Sequence, residues 1–260
     1  MSLKSEASSL KSQVGEPVLE MIGATIASSR DEKLAVVGGV NWTVREGTFW
    51  VVGGLPGAGK SALLLTAAGI QKPKQGEVRL FGRDLAGLRE AELLRERRRV
   101  GLVFEGGGRL FADLTVAENV SLPYRYHHDC DGAAAADKVR EALDFVELTA
   151  YADRRPGSVP RPLCCRIGLA RALITGPEML LLDNPLHGLD ARQAPWWKNT
   201  IARLFAGPVK TVILAVDDLR PWAGADRKHA LVEKGTWREL RDSETLTAAA
   251  ELAAGEPPGA

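Results

Sequence analysis

The chain has 260 residues, enough for one large α/β domain with a substantial core or for two small ones. Hydrophobic residues make up 45% and charged residues 26%, the proportions of an ordinary globular protein rather than a disordered or fibrous one. A formal net charge of +1 removes any general electrostatic case for nucleic acid as a partner, and the three cysteines form neither an even disulfide framework nor a zinc spacing.

In chain order, residues 1–16 are polar, lack periodicity and read as a disordered tail without the apolar core of a secretion signal. Phe49-Trp50-Val51-Val52 reads as a buried strand leading into a glycine loop, and Ser61 to Ile70 continues as an apolar helix. The basic run from Arg95 to Arg99 reads as a solvated helix face. Val100-Gly101-Leu102-Val103-Phe104, Met179-Leu180-Leu181-Leu182 and Thr211 to Val216 are further candidate buried strands. Between them, Val139, Ala142, Leu143 and Val146 fall on one helical face, as do Trp197, Ile201 and Leu204. His127, His128, Asp129 and Cys130 are adjacent, and neighbouring ligands on a polar loop rarely converge on a metal. Residues 248–260, rich in Ala, Gly and Pro, read as a flexible tail. No apolar run approaches the roughly 20 residues that cross a bilayer. Apolar strands separated by helices predict a parallel sheet covered on both faces, within a single domain over 17–247.

The strongest chemical signal is Gly54-Leu55-Pro56-Gly57-Ala58-Gly59-Lys60-Ser61, which fits G-x-x-x-x-G-K-S without a mismatch between a strand and a helix. Gly54, Gly57 and Gly59 let backbone N–H groups turn inward around a phosphate, and the helix N-terminus adds partial positive charge. Lys60 is expected to reach the β and γ phosphates of a nucleotide, and the Ser61 hydroxyl to ligate Mg²⁺. Met179 to Asp183 is an apolar strand ending in a carboxylate, the second place where such hydrolases hold Mg²⁺.

From about residue 18 to 240 the chain resembles the ABC ATPases. Leu180-Leu181-Leu182-Asp183-Asn184-Pro185-Leu186-His187-Gly188-Leu189-Asp190 is similar to the family's second nucleotide motif running into its D-loop. Ile167 to Leu173 resembles the helix after the family signature, Glu105 sits where the family has its Q-loop, and Val78 to Gly82 resembles the edge strand before it. The resemblance implies a P-loop NTPase fold with a RecA-like parallel core, an N-terminal antiparallel β region and a helical insertion over about 106–165. It also implies Mg-ATP bound between two such domains meeting head to tail, either as a homodimer or as a heterodimer. An integral-membrane permease is the implied partner, holding the chain at the cytoplasmic face of the membrane.

Against the family pattern, the substitutions cluster on the groups that perform hydrolysis. Asn184 stands where the family has its general-base glutamate, and loss of such a base typically costs ~10²–10⁴ in rate. Asp217 aligns with the switch histidine, where a carboxylate opposes the negative γ phosphate. Glu105 replaces the Q-loop glutamine; it retains the ability to ligate Mg²⁺ and is a potential substitute base. The signature becomes Val159-Pro160-Arg161-Pro162-Leu163, so Pro160 and Pro162 remove N–H groups that would face the partner's nucleotide, while also suiting a helix start. Asp190 is expected at the dimer interface, and Ser28 falls where an aromatic residue stacks on adenine. These substitutions imply a slow ATPase, or an ATP-dependent clamp whose partner hydrolyses; the alternative is a non-hydrolysing regulatory or scaffold subunit. A kinase or GTPase on the same core lacks support from a base-recognition segment. Residues 108–120, with Leu110-Phe111 and Leu114-Thr115-Val116, resemble the corresponding stretch of bacterial lipid-trafficking members.

Overall fold

The computed structural model describes residues 15–189, 191–224 and 226–254. Ten strands form one continuous sheet: β1 (Pro17–Ala27), β2 (Ala35–Arg45), β3 (Phe49–Gly53), β4 (Gln75–Leu80), β5 (Arg83–Asp84), β6 (Val100–Val103), β7 (Met179–Asp183), β8 (Thr211–Val216), β9 (Lys228–Glu233) and β10 (Thr236–Leu240). Their spatial order is β5-β4-β1-β2-β10-β9-β3-β8-β7-β6. The helices are α1 (Lys60–Ala67), α2 (Glu90–Arg98), α3 (Val116–His128), α4 (Gly132–Phe145), α5 (Arg161–Leu173), α6 (Ala194–Phe205) and α7 (Asp242–Ala254).

The parallel part runs β9-β3-β8-β7-β6, as the apolar runs predict. Every residue of β3, β7 and β8 is buried, because helices cover both faces and no position alternates to solvent. Side chains on one strand divide between two cores: Phe49 and Val51 pack with α3 to α7, whereas Trp50 and Val52 pack with α1 and the N-terminal strands. β1 pairs antiparallel with β2 and β4, and β10 joins β2 at the single register Thr236 to Gly38. That narrow join is reinforced by aromatic packing, with Trp42 centred 5.6 Å from Trp50 and 4.7 Å from Trp237. Within the expected insertion, α3 and α4 follow β6 and pack on α5 through Val116, Val120, Val139 and Leu143.

Two expectations require revision, and a third lies mostly outside the described residues. Residues 248–254 belong to α7, whose Ala248 and Ala249 are buried in the core, so small side chains there serve close packing and the segment is not a loose tail. Residues 1–14 of the expected N-terminal tail lie outside the described residues, while Gly15 and Glu16 are tied by their carbonyls to Arg45 and to the Glu46 N–H. In the Arg95–Arg99 run, Arg99 binds both oxygens of Glu178 at 2.7 and 3.0 Å and lies 3.5 Å over the Phe81 ring. Arg97 binds the Gly69 carbonyl at 2.7 Å, so the run joins elements as well as facing solvent. No helix among the described residues is long and apolar enough to cross a membrane.

Candidate functional site

β3 delivers the glycine loop, and each glycine in it has its own reason. A side chain at Gly54 would come within 2.6 Å of the Val232 carbonyl on β9, so the strand and loop require bare backbone there. Gly57 has φ +81° and faces open space, which makes its requirement purely conformational. Gly59, at φ +105°, caps α1 with its Cα pressed toward Val37, whose Cγ2 a side chain would meet at 2.8 Å. No side chain caps the first turn of α1, leaving its N–H groups directed at the cleft mouth.

The cleft beside this loop has a volume of about 480 Å³ and is lined by Ser28, Gly57, Gly59, Lys60, Ser61, Glu105, Asp183, Asn184, His187 and Asp217, among others. Residues separated by more than 150 positions in sequence therefore meet in one place. The Lys60 ammonium, 6% exposed, donates to the carbonyls of Gly54 at 2.6 Å and Leu55 at 2.9 Å, and to Asp217 Oδ1 at 2.8 Å. Asn184, left-handed at φ 45°, donates from Nδ2 to Asp217 Oδ2 at 2.6 Å. Asparagine tolerates that backbone well because its short amide adds little steric cost. Asp183, at the tip of β7, shares a hydrogen bond with Ser61.

The acids differ in their proton affinity. Burial raises the Asp183 carboxyl above its usual range; the Ser61 hydrogen bond pulls the other way and the nearby Glu105 charge adds to the rise. Burial also pushes Asp217 upward, but the Lys60 hydrogen bond and charge, with help from Asn184 and His187, hold it below its usual value. The cleft thus carries hard oxygen donors at Ser61, Asp183 and Glu105, suited to Mg²⁺ held jointly with phosphates. Among the described residues, no group of three or more His, Cys, Asp or Glu side chains is arranged to hold a metal by itself. A larger cleft, about 590 Å³, lies between the loop and α7, but its lining is mainly apolar and lacks this acid and hydroxyl set.

The sequence alone reads His187 as a solvent-exposed loop histidine. It is 54% exposed, yet its Nε2 lies 3.4 Å from Glu105 and its Nδ1 3.6 Å from Asp217. Its position follows from the turn after β7, where the His187 N–H donates to the Asn184 carbonyl at 2.9 Å. Near Ser28 the cleft is lined by Ser29, Arg30, Leu34 and Val36.

Pro160, Arg161 and Pro162 are not in the cleft. Pro160 is the N-cap of α5, Arg161 is exposed, and Pro162 lies in the first turn, where proline costs no hydrogen bond. The helix starts at Arg161, so Cys164 and Cys165 sit inside its first turns. Asp190 lies outside the described residues.

α5 nevertheless reaches the cleft through the glycine turn after β6. Gly106, Gly107 and Gly108 all have positive φ, and Gly107 lies directly on Gly168 of α5. Arg171 of α5 donates to the carbonyls of Arg109 at 2.9 Å and Gly107 at 3.3 Å. Glu105 begins that turn, so α5 and the cleft share one structural support. Cys165 is buried next to it, and burial pushes its thiol up to about 11. Iodoacetamide at pH 8 should therefore label Cys130 and leave Cys165 unmodified, and peptide mass spectrometry reads the difference. Rapid labelling of Cys165 would show that this turn opens freely.

Comparison with known proteins gives consistent results. The family model for ABC transporter matches residues 37–187. The methionine import ATP-binding protein MetN of Rhizobium johnstonii is 35% identical over 174 residues, 66% of this chain and 47% of that protein. The spermidine/putrescine import ATP-binding protein PotA of Pseudomonas aeruginosa is 30% identical over 233 residues, 88% of this chain and 61% of its own length. The chain thus spans about half the length of the curated relatives it matches. A solved dimer of the ATP-binding cassette MJ0796, described as a post-hydrolysis state bound to ADP and Pi, superposes with a TM-score of 0.75 at 26% identity. That match covers 86% of this chain and 99% of the cassette. These relatives carry importer names, so the likeness of residues 108–120 to lipid-trafficking members gains no support from them. With the family model covering more than half of its length, the chain belongs to the ABC transporter family.

Proposed function

We propose that this chain is the ATP-binding subunit of an import-type ABC transporter, binding Mg-ATP between two cassettes and passing the nucleotide state to an integral-membrane permease, with slow hydrolysis. The carrying observation is the contrast within one cleft. Lys60, Ser61 and Asp183 form a complete phosphate and cation cradle, whereas Asn184 and Asp217 hydrogen-bond to each other where a base and a switch residue are expected.

Mg²⁺, when bound with the nucleotide, supplies charge neutralisation between the phosphates, and Ser61, Asp183 and Glu105 are the groups to hold it. The Asn184 amide orients water but takes no proton from it. Glu105 is the remaining carboxylate with solvent access, at 46% exposure, and His187 beside it is the available proton carrier. Neither reproduces a base fixed on β7, which is the physical reason for slow turnover. The exposed start of α5, with Pro160, Arg161 and Pro162, faces the second subunit in this arrangement and offers it a guanidinium in place of a row of N–H donors.

Titration of the purified protein with Mg-ATP should show saturable binding, and Lys60→Ala should weaken it by ~10²-fold or more, since the cation beside the glycine loop is lost and the Asp217 charge is left unpaired. Wild-type phosphate release should stay near background. Turnover at the rates of ordinary ATPases, about 1 per second or faster, would exclude the slow-hydrolysis reading. Binding unaffected by Lys60→Ala would remove the glycine loop from the site.

A further inference from the structure

An ammonium has three N–H donors, and Lys60 directs all three inward: to Gly54, to Leu55 and to Asp217. Asp217 is equally well fixed. One oxygen holds Lys60 at 2.8 Å; the other accepts from Asn184 at 2.6 Å and lies 3.6 Å from His187. Its backbone follows directly from β8, which is locked between β3 and β7, so the carboxylate is carried to the lysine by sheet register and not by a swinging loop. In charge and in oxygen geometry it presents to Lys60 what a terminal phosphate would present.

We propose that the Asp217 carboxylate stands in for the terminal phosphate, so that this cleft takes nucleoside diphosphates in preference to triphosphates. The proposal rests on the nucleotide-site reading given above. A diphosphate can settle on the loop N–H groups and the start of α1 with the Lys60–Asp217 pair intact. A triphosphate must either strip Asp217 from Lys60 or crowd its last phosphate against a carboxylate already flanked by Asp183 and Glu105. The lysine is 6% exposed and Asp217 28%, so the like charges are only partly screened by water. Asn184 strengthens the arrangement: its amide holds Asp217 in place, whereas a glutamate there would repel it.

The test is calorimetric titration of the full chain with Mg-ADP and with Mg-β,γ-imido-ATP, which is not converted to the diphosphate. The wild type should bind the diphosphate more tightly by about tenfold or more, the scale of a like charge held against a ligand. Asp217→Asn keeps the shape and the Lys60 contact without the charge, and should close the gap by tightening the triphosphate alone; circular dichroism checks that the variant is folded. Equal or tighter triphosphate binding by the wild type would overturn the proposal while leaving the nucleotide site standing, as would a gap that survives in Asp217→Asn. Failure of both nucleotides to bind the wild type would overturn the nucleotide-site reading itself, and this proposal with it.

Discussion

Asn184→Glu alone should leave ATP turnover near the wild-type level, whereas Asn184→Glu combined with Asp217→His should raise it by about 10²-fold or more. The expectation comes from the contact between the two side chains. Asn184 Nδ2 lies 2.6 Å from Asp217 Oδ2, so a glutamate at 184 places a second carboxylate against the first and turns a hydrogen bond into repulsion. The new acid would swing away or bind a proton, and in either state it is a poor base. The αL backbone at Asn184 adds a cost of about 1–2 kcal/mol for a side chain without asparagine's local hydrogen bonding. Histidine at 217 removes the repulsion and offers the glutamate a donor, so the two changes are strongly non-additive. The gain should sit toward the low end of what a general base supplies, because Pro160, Arg161 and Pro162 still stand at the start of α5. Steady-state phosphate release at saturating Mg-ATP, compared among wild type, both single variants and the double, is the measurement. A single Asn184→Glu change that restores turnover would show that Asp217 does not control this position. A double variant that binds ATP but gains nothing would move the deficit to the signature.

Most of the architecture was legible because the central strands are buried on both faces. Met179 to Leu182 and Thr211 to Val216 are unbroken apolar runs for that reason, and each appears as a strand with nearly the expected bounds. The glycine loop was legible because its pattern is contiguous over eight positions, although the close approaches of Gly54 to Val232 and Gly59 to Val37 are made to distant strands. Asp183 followed from its place at a strand tip, and Asn184 from the family pattern beside it. What stayed hidden depends on contacts between distant segments. Lys60 and Asp217 are 157 positions apart, and their pairing comes from β3 and β8 lying side by side in a particular register. The expectation that Asp217 would repel a phosphate was a statement about charge; the ion pair that charge makes inside the protein required the sheet. His187 was read as a loop residue because nothing local distinguishes a histidine one turn beyond a strand from one that reaches back to two carboxylates. α7 was missed because alanine-rich sequence serves both helices and loose tails, and only the packing of Ala248 and Ala249 decides between them.

Gly168→Val should destabilise the protein by about 3 kcal/mol or more, lowering the melting temperature by roughly 6–12 °C for a domain of this size. Helix propensity alone predicts a much milder effect, and for Gly168→Ala it predicts a gain of about 1 kcal/mol. Packing predicts the opposite sign. A Cβ at Gly168 would lie 2.5 Å from the Gly107 carbonyl oxygen and 2.8 Å from its Cα, and both obstacles are backbone that no rotamer change can clear. Gly107 cannot retreat easily, because its carbonyl and that of Arg109 are held by Arg171 and its own Cα faces Cys164 and Cys165. Something must part, and the turn from Glu105 to Gly108 has fewer buried contacts than α5. Displacing that turn also carries Glu105 away from His187, so nucleotide affinity should fall together with stability. Gly157→Ala is the control, since no atom lies within 4 Å of a side chain added there and its melting temperature should stay within about 2 °C of wild type. Calorimetric melting of Gly168→Ala decides between the two effects. A rise would mean that α5 and the glycine turn separate at little cost, and a fall would mean that their contact is rigid enough to transmit a movement of the signature helix to Glu105.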